Sequence, residues 1–106
     1  MVKVFLCGNL GSDAKSKQLE DDRFVINFSV ADNQKKGDKE ITQWFNCSYF
    51  VKNNNVINYL VKGHKVAVVG DLTISEYRSS QTNEVKISSD ILVNSLQILE
   101  FADKTE

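Results

Sequence analysis

Hydrophobic and polar positions alternate with a period of two along most of this chain, the spacing that sends successive side chains to opposite faces of a β-strand. In residues 2–8, Val4 and Leu6 share one face, and Phe5 and Cys7 the other; Asn9, Leu10 and Gly11 then form a turn. Residues 24–31 set Phe24, Ile26, Phe28 and Val30 against Val25, Asn27 and Ser29, a strand with one buried face. Residues 12–22 are polar and extend the first strand after a bend. Residues 32–40, DNQKKGDKE, carry no apolar side chain and read as a solvated, mobile loop. A third strand runs over residues 41–51.

The period then changes. Val56, Tyr59 and Leu60 recur at i, i+3 and i+4, and Gly63 stands where a helix C-terminus favours glycine. This spacing predicts a short helix over residues 53–62. Residues 65–70, rich in valine, read as a fourth strand. Residues 72–77 and 84–91 flank a polar tip at 78–83, forming a long hairpin, and residues 93–101 form a closing strand. A small all-β chain must hide its sheet edges, and barrel closure does this. The expected fold is all-β: a five-stranded OB-fold barrel with one short helix between the third and fourth strands and a protruding β-hairpin. An SH3-like barrel or an open sandwich is the alternative, and it accommodates the helix position less well.

The 106 residues suffice for one domain, expected over residues 1–101 with a short polar end at 102–106. With 13 basic and 14 acidic side chains the net charge is −1, which argues against a polycation gripping nucleic acid by bulk charge and leaves room for a local groove. No apolar run approaches the ~18 residues of a membrane span, and no basic-then-apolar leader opens the chain. A cytoplasmic, non-membrane protein is expected. Cys7 and Cys47 sit in apolar runs without metal-ligand spacing and read as buried, reduced thiols. His64, after Gly63, reads as an exposed turn residue.

The third strand carries the chemistry. Phe45, Cys47, Tyr49 and Val51 form one continuous apolar face, and Trp44, Asn46, Ser48 and Phe50 form the other. A core disfavours Asn46 and Ser48, and a plain solvent face disfavours Trp44 and Phe50. Flat apolar ligands stacked between polar contacts suit both, and nucleobases are such ligands. The hairpin repeats the arrangement: Leu72 and Ile74 on one face, Thr73, Ser75 and Tyr77 on the other. The pattern alone fits equally a subunit interface through Trp44, Phe50 and Tyr77. Basic residues tilt the reading towards nucleic acid: Lys35, Lys36 and Lys39 in the loop before the third strand, Lys52 at its end, Lys62 and Lys65 around the next turn, and Arg78 and Lys86 on the hairpin. Acidic residues interleave with them, notably Asp38, Glu40, Asp71 and Glu76, which predicts modest, salt-sensitive binding. A single histidine, with neither a phosphate loop nor a zinc-protease motif, gives enzyme chemistry little to work with, and no cofactor or metal is expected.

The segments VKVFLCGNLGSDAK, FVINFSVAD, TQWFNCSYFVK, YLVKGHKVAVVGDL and ISEY, in this order and spacing, resemble the OB-fold domain of bacterial single-stranded DNA-binding proteins. The resemblance spans about residues 2–101. It implies that Trp44, Phe50 and Tyr77 stack bases, that Lys3, Lys52 and Lys62 contact the DNA backbone, and that the chain forms a homo-oligomer, a tetramer or alternatively a dimer. Asn46, Thr73 and Ser75 stand where many relatives have arginine, and Lys35 lies near a position where some carry another stacking aromatic. Relatives usually continue into a linker and an acidic tip that recruits replication and repair enzymes, whereas this chain stops at Glu106. Two alternatives stay open: the tip has been trimmed from this chain, or the protein lacks it. A protein without it is expected to coat DNA during replication, recombination or repair without recruiting partners through it, and replication or repair proteins stand as further candidate partners. Two rival functions remain: an adaptor like primosomal replication protein N, and an OB module that binds a protein or an oligosaccharide.

Overall fold

A computed structural model describes residues 1–100. The strands are β1 (Lys3–Leu10), β2 (Lys15–Gln18), β3 (Phe24–Lys36), β4 (Lys39–Val51), β5 (Lys65–Arg78) and β6 (Val85–Glu100). They form one sheet in the order β1-β5-β6-β4-β3-β2. Pairing of Asn9 with Ala31 and of Leu10 with Val30 joins β1 to β3 and closes a five-stranded barrel, with β2 appended to β3. Among the described residues only β4 and β6 pair in parallel, through Asn46–Asp90, Cys47–Ile91 and Ser48–Leu92. Among the described residues no helix is long and apolar enough to cross a membrane.

Strand alternation fills the barrel. Leu6, Ile26, Phe28, Val30, Cys47, Val66, Val68, Ile91 and Val93 point inward and form the buried cluster. Leu60, contributed by the β4–β5 connection, is fully buried among them. Each such aliphatic side chain stabilises the fold by about 1.5–3 kcal/mol when fully buried. Phe45, Tyr49 and Val51 pack on this cluster from the inner face of β4, as the alternation requires.

Four sequence expectations are corrected. Residues 53–62 do not form an α-helix; a 3-10 turn covers Asn55–Tyr59, with Tyr59 exposed and Leu60 buried. Three consecutive asparagines favour turns over helix, and one deeply buried anchor needs no longer element. Residues 32–40 are not a loop. Strands β3 and β4 run on through them as a hairpin arm, with Lys35 opposite Glu40, Lys36 opposite Lys39, and Gly37 (φ 63°) in the two-residue turn. The arm has no apolar residue there because it projects beyond the core, while backbone pairing and the Thr42–Asn33 hydrogen bond hold it. Lys35, Lys36 and Lys39 therefore lie on strands.

Residues 65–70 and 72–77 form one strand, as do residues 84–91 and the described part of 93–101, with Glu84 itself outside the strand. Gly70 marks a bend rather than an end. A Cβ at this position would run into the Leu92 carbonyl oxygen, and a register shift between Val69 and Gly70 bends the pair around the barrel. Finally, the polar stretch after the first turn does not lengthen β1: as β2 it pairs with β3, Lys15 with Asn27 and Lys17 with Val25.

Candidate nucleic-acid interface

Paired residues in neighbouring strands point their side chains to the same side of a sheet. The register therefore links the outer positions into rows. One row runs Ser29, Asn46, Asp90, Thr73, and the next runs Lys15, Asn27, Ser48, Leu92, Asp71, Lys3. Trp44 and Phe50 flank these rows on β4, opposite Ala31 and Val25 of β3. Tyr77 lies on the same face of β5, four residues beyond Thr73 and opposite Lys86. All three aromatics are about half exposed: Trp44 56%, Phe50 48%, Tyr77 51%. Side-chain alternation along β4 and β5 thus leaves all three rings on the outer surface, and the parallel β4–β6 pairing joins the two halves of that face.

Over residues 46–48 of β4, the stretch that separates Trp44 from Phe50 along the strand, lies an open groove of about 270 Å3 that neither ring lines. Asn27, Ser29, Asn46 and Ser48 line it from the sheet, and Asp13 and Lys15 line it from the chain after β1. Ser48 donates to Asn27 Oδ1 at 2.9 Å. Asn46 Nδ2 donates to Asp90 Oδ1 at 3.2 Å and to Ser88 Oγ at 3.4 Å, so its amide is tied across to β6. Such a surface offers flat apolar platforms separated by amide and hydroxyl groups. A second hollow, about 190 Å3, lies along the hairpin beside Tyr77, Arg78 and Val85.

The basic residues divide by location. Lys86 shares the aromatic face with Tyr77, and Lys35 lies on the same side of the β3–β4 arm, paired with Glu40. Lys36 and Lys39 point to the other side of that arm by strand parity. Lys52 follows β4 immediately and is exposed. Lys62 is exposed, and its backbone N–H donates to Asp13 Oδ1 at 2.8 Å, beside the groove. Arg78 donates from Nη1 to the Asn83 carbonyl and so closes the hairpin tip. Lys3 is engaged within the fold: Nζ donates to Asn94 Oδ1 at 2.7 Å and forms an ion pair with the buried Asp71 Oδ1 at 2.9 Å.

Sequence reasoning missed Lys15, Lys17, Asn27, Ser29, Ser88 and Asp90. The alternation over residues 24–31 already placed Asn27 and Ser29 on the outer face. Lys15 and Lys17 needed the β2–β3 register, and Ser88 and Asp90 the β4–β6 pairing, neither of which has a local signal.

The fold and face define an OB-fold binding module. A sequence model of the single-strand binding protein family matches residues 1–99, and the chain belongs to that family. It is 33% identical to a single-stranded DNA-binding protein of Xanthomonas campestris pv. campestris over 103 residues, covering 92% of this chain and 59% of that protein. It is 32% identical to the single-stranded DNA-binding protein of Borreliella burgdorferi over 107 residues, covering 96% of this chain and 72% of that one. This chain therefore spans less than two thirds of the Xanthomonas relative. A Plasmodium falciparum SSB, solved in complex with ssDNA, superposes with a TM-score of 0.68 at 26% identity, covering 97% of this chain and 96% of that one.

Proposed function

We propose that this chain binds single-stranded DNA without catalysis, stacking unpaired bases on Trp44, Phe50 and Tyr77 while lysines at the margins of the face meet the phosphates. The observation that carries this reading is the sharing of one outer face by three half-exposed aromatics, with a polar groove over the stretch of β4 that separates two of them. Each stacked base contributes about 1–3 kcal/mol and any base serves, so sequence preference from stacking is low. Lys15, Lys17 and Lys86 flank the face, and Lys35, Lys52 and Lys62 extend the basic margin. Family membership and the ssDNA-bound neighbour support the same reading. Residues 1–101 are the binding domain. The protein serves replication, recombination or repair in the cytoplasm.

The chain acts as a homo-oligomer, with a tetramer favoured over a dimer. Phe5, 70% exposed on the outside of β1, stands opposite Val69 of β5, and exposed Leu92 lies nearby on β6. From Lys3 to Gly8 one edge of β1 has no strand partner among the described residues. An apolar patch beside a free edge suits pairing with a second copy.

The test is fluorescence of the single tryptophan, Trp44, during titration with oligo-dT, with duplex DNA, and at raised salt. Quenching by the single strand that weakens with salt supports the reading. A folded protein with no quenching overturns it in favour of an adaptor whose aromatic face meets protein.

A further inference from the structure

We infer that Asp90 makes the binding face selective: its carboxylate accepts hydrogen bonds from the exocyclic amino groups of unpaired bases, guanine foremost, and disfavours thymine. The inference rests on the proposed binding of single-stranded DNA and qualifies its indifference to sequence.

Asp90 occupies the middle of the face. It pairs with Asn46, two residues from Trp44 and four from Phe50 along β4. On its other side it pairs with Thr73, four residues from Tyr77 along β5. At ~3.3 Å per residue, Trp44 is within about 8 Å of Asp90 and the other two aromatics are about 14 Å away. A strand stacked on these rings passes its bases over the carboxylate.

The carboxylate is anchored but not neutralised. Oδ1 accepts from Asn46 Nδ2 at 3.2 Å, and the Ser88 hydroxyl lies 3.1 Å from both oxygens. That hydroxyl has one proton to give, so two donors serve an acceptor with about four lone-pair sites. Among the described residues the ion pair of the fold is Lys3 with Asp71, and no cation lies within ion-pair distance of Asp90. The nearest lysine along β6 on the same face is Lys86, four residues or about 13 Å away.

Two consequences follow. Phosphates are repelled from the centre and drawn to the flanking lysines, which turns the bases inward. The inward-facing edges are then sorted by donor chemistry. Unpaired bases expose their Watson–Crick edges. Guanine offers N1–H and an N2 amine side by side, a match for a carboxylate. Cytosine and adenine offer an amine beside an acceptor nitrogen. Thymine offers one N3–H between two carbonyl oxygens, which a carboxylate repels.

The test compares oligo-dT with the same strand carrying isolated deoxyguanosines, and with one carrying deoxyinosines at those positions. Inosine keeps the purine ring and N1–H and lacks only the N2 amine, so stacking is held constant. The guanine strand is expected to bind about tenfold more tightly than the inosine strand. In Asp90→Asn that ratio falls towards unity and oligo-dT binds more tightly than to the unsubstituted protein. Equal affinity for guanine and inosine strands in the unsubstituted protein overturns the inference without needing a variant, as does an unchanged ratio in a folded Asp90→Asn or Asp90→Thr protein. Failure of every strand to bind overturns the proposed function itself and is distinct from equal binding.

Discussion

The indole of Trp44 lies over Gly11: a Cβ at Gly11 would come within 2.7 Å of Cη2 and closer still to Cζ3. The turn after β1 thus supports a ring that β4 supplies, and the missing side chain leaves room for it. Gly11→Ala is expected to push the exposed indole aside, because the clashing atoms are its far end. Stability should change by less than about 1 kcal/mol, as for a surface substitution. Single-strand binding should weaken by up to about 1–3 kcal/mol, the range of one lost stack. Paired denaturation and oligo-dT titrations check this; unchanged affinity would show that the ring does not need its position over the turn.

Gly70 provides the contrast. Its added Cβ would meet the backbone oxygen of Leu92, which cannot swing away. Gly70→Ala should cost about 1–3 kcal/mol in urea unfolding, the range for overpacking. The loss should exceed that of Gly11→Ala.

Burial pushes the Cys47 thiol from its ordinary 9.0 up to about 12. Below pH 9 both folded and unfolded chains keep this proton, and the contribution to stability is fully present. Between pH 9 and about 12 the unfolded chain releases it while the folded chain retains it, so stability falls with rising pH. The slope from this thiol is at most ~1.4 kcal/mol per pH unit. Cys47→Ala should lose alkaline stability less steeply than the unsubstituted protein when unfolding is followed across this range. Cys7 is only partly buried, not buried as its apolar run suggested, so alkylation at neutral pH should modify Cys7 and spare buried Cys47 until the chain unfolds.

Phe5→Glu places a charge in the middle of the exposed patch beside Val69. The barrel should remain folded, since Phe5 points away from the core, and light scattering should report a smaller oligomer. An unchanged mass would remove this patch from the assembly surface.

Legibility varied along the chain for physical reasons. Strands that cover the core show their faces locally, because one side must be apolar; hence Trp44, Phe50 and Tyr77 could be assigned to the outer face. The β3–β4 arm hid itself for the complementary reason: Asn33, Gln34, Lys35 and Lys36 cover no core and read as loop until Thr42 and Glu40 are seen opposite them. The 3-10 turn showed its Leu60 anchor but not its geometry, since one buried residue fits several local conformations.

The amino-acid sequence by itself determined the all-β class, the apolar and polar faces of residues 24–31 and 44–51, and the placing of Trp44, Phe50 and Tyr77 on the polar faces of their strands, because side-chain alternation is a local consequence of the pleat. Only the tertiary structure decided that Lys15 and Lys17 flank the face, that Lys3 is held by Asp71 and Asn94, and that Asp90 stands uncompensated among the aromatics. Those facts depend on which strands pair and in what register. Pairing joins residues far apart in the chain, such as Asn46 and Asp90, whose proximity no local periodicity encodes.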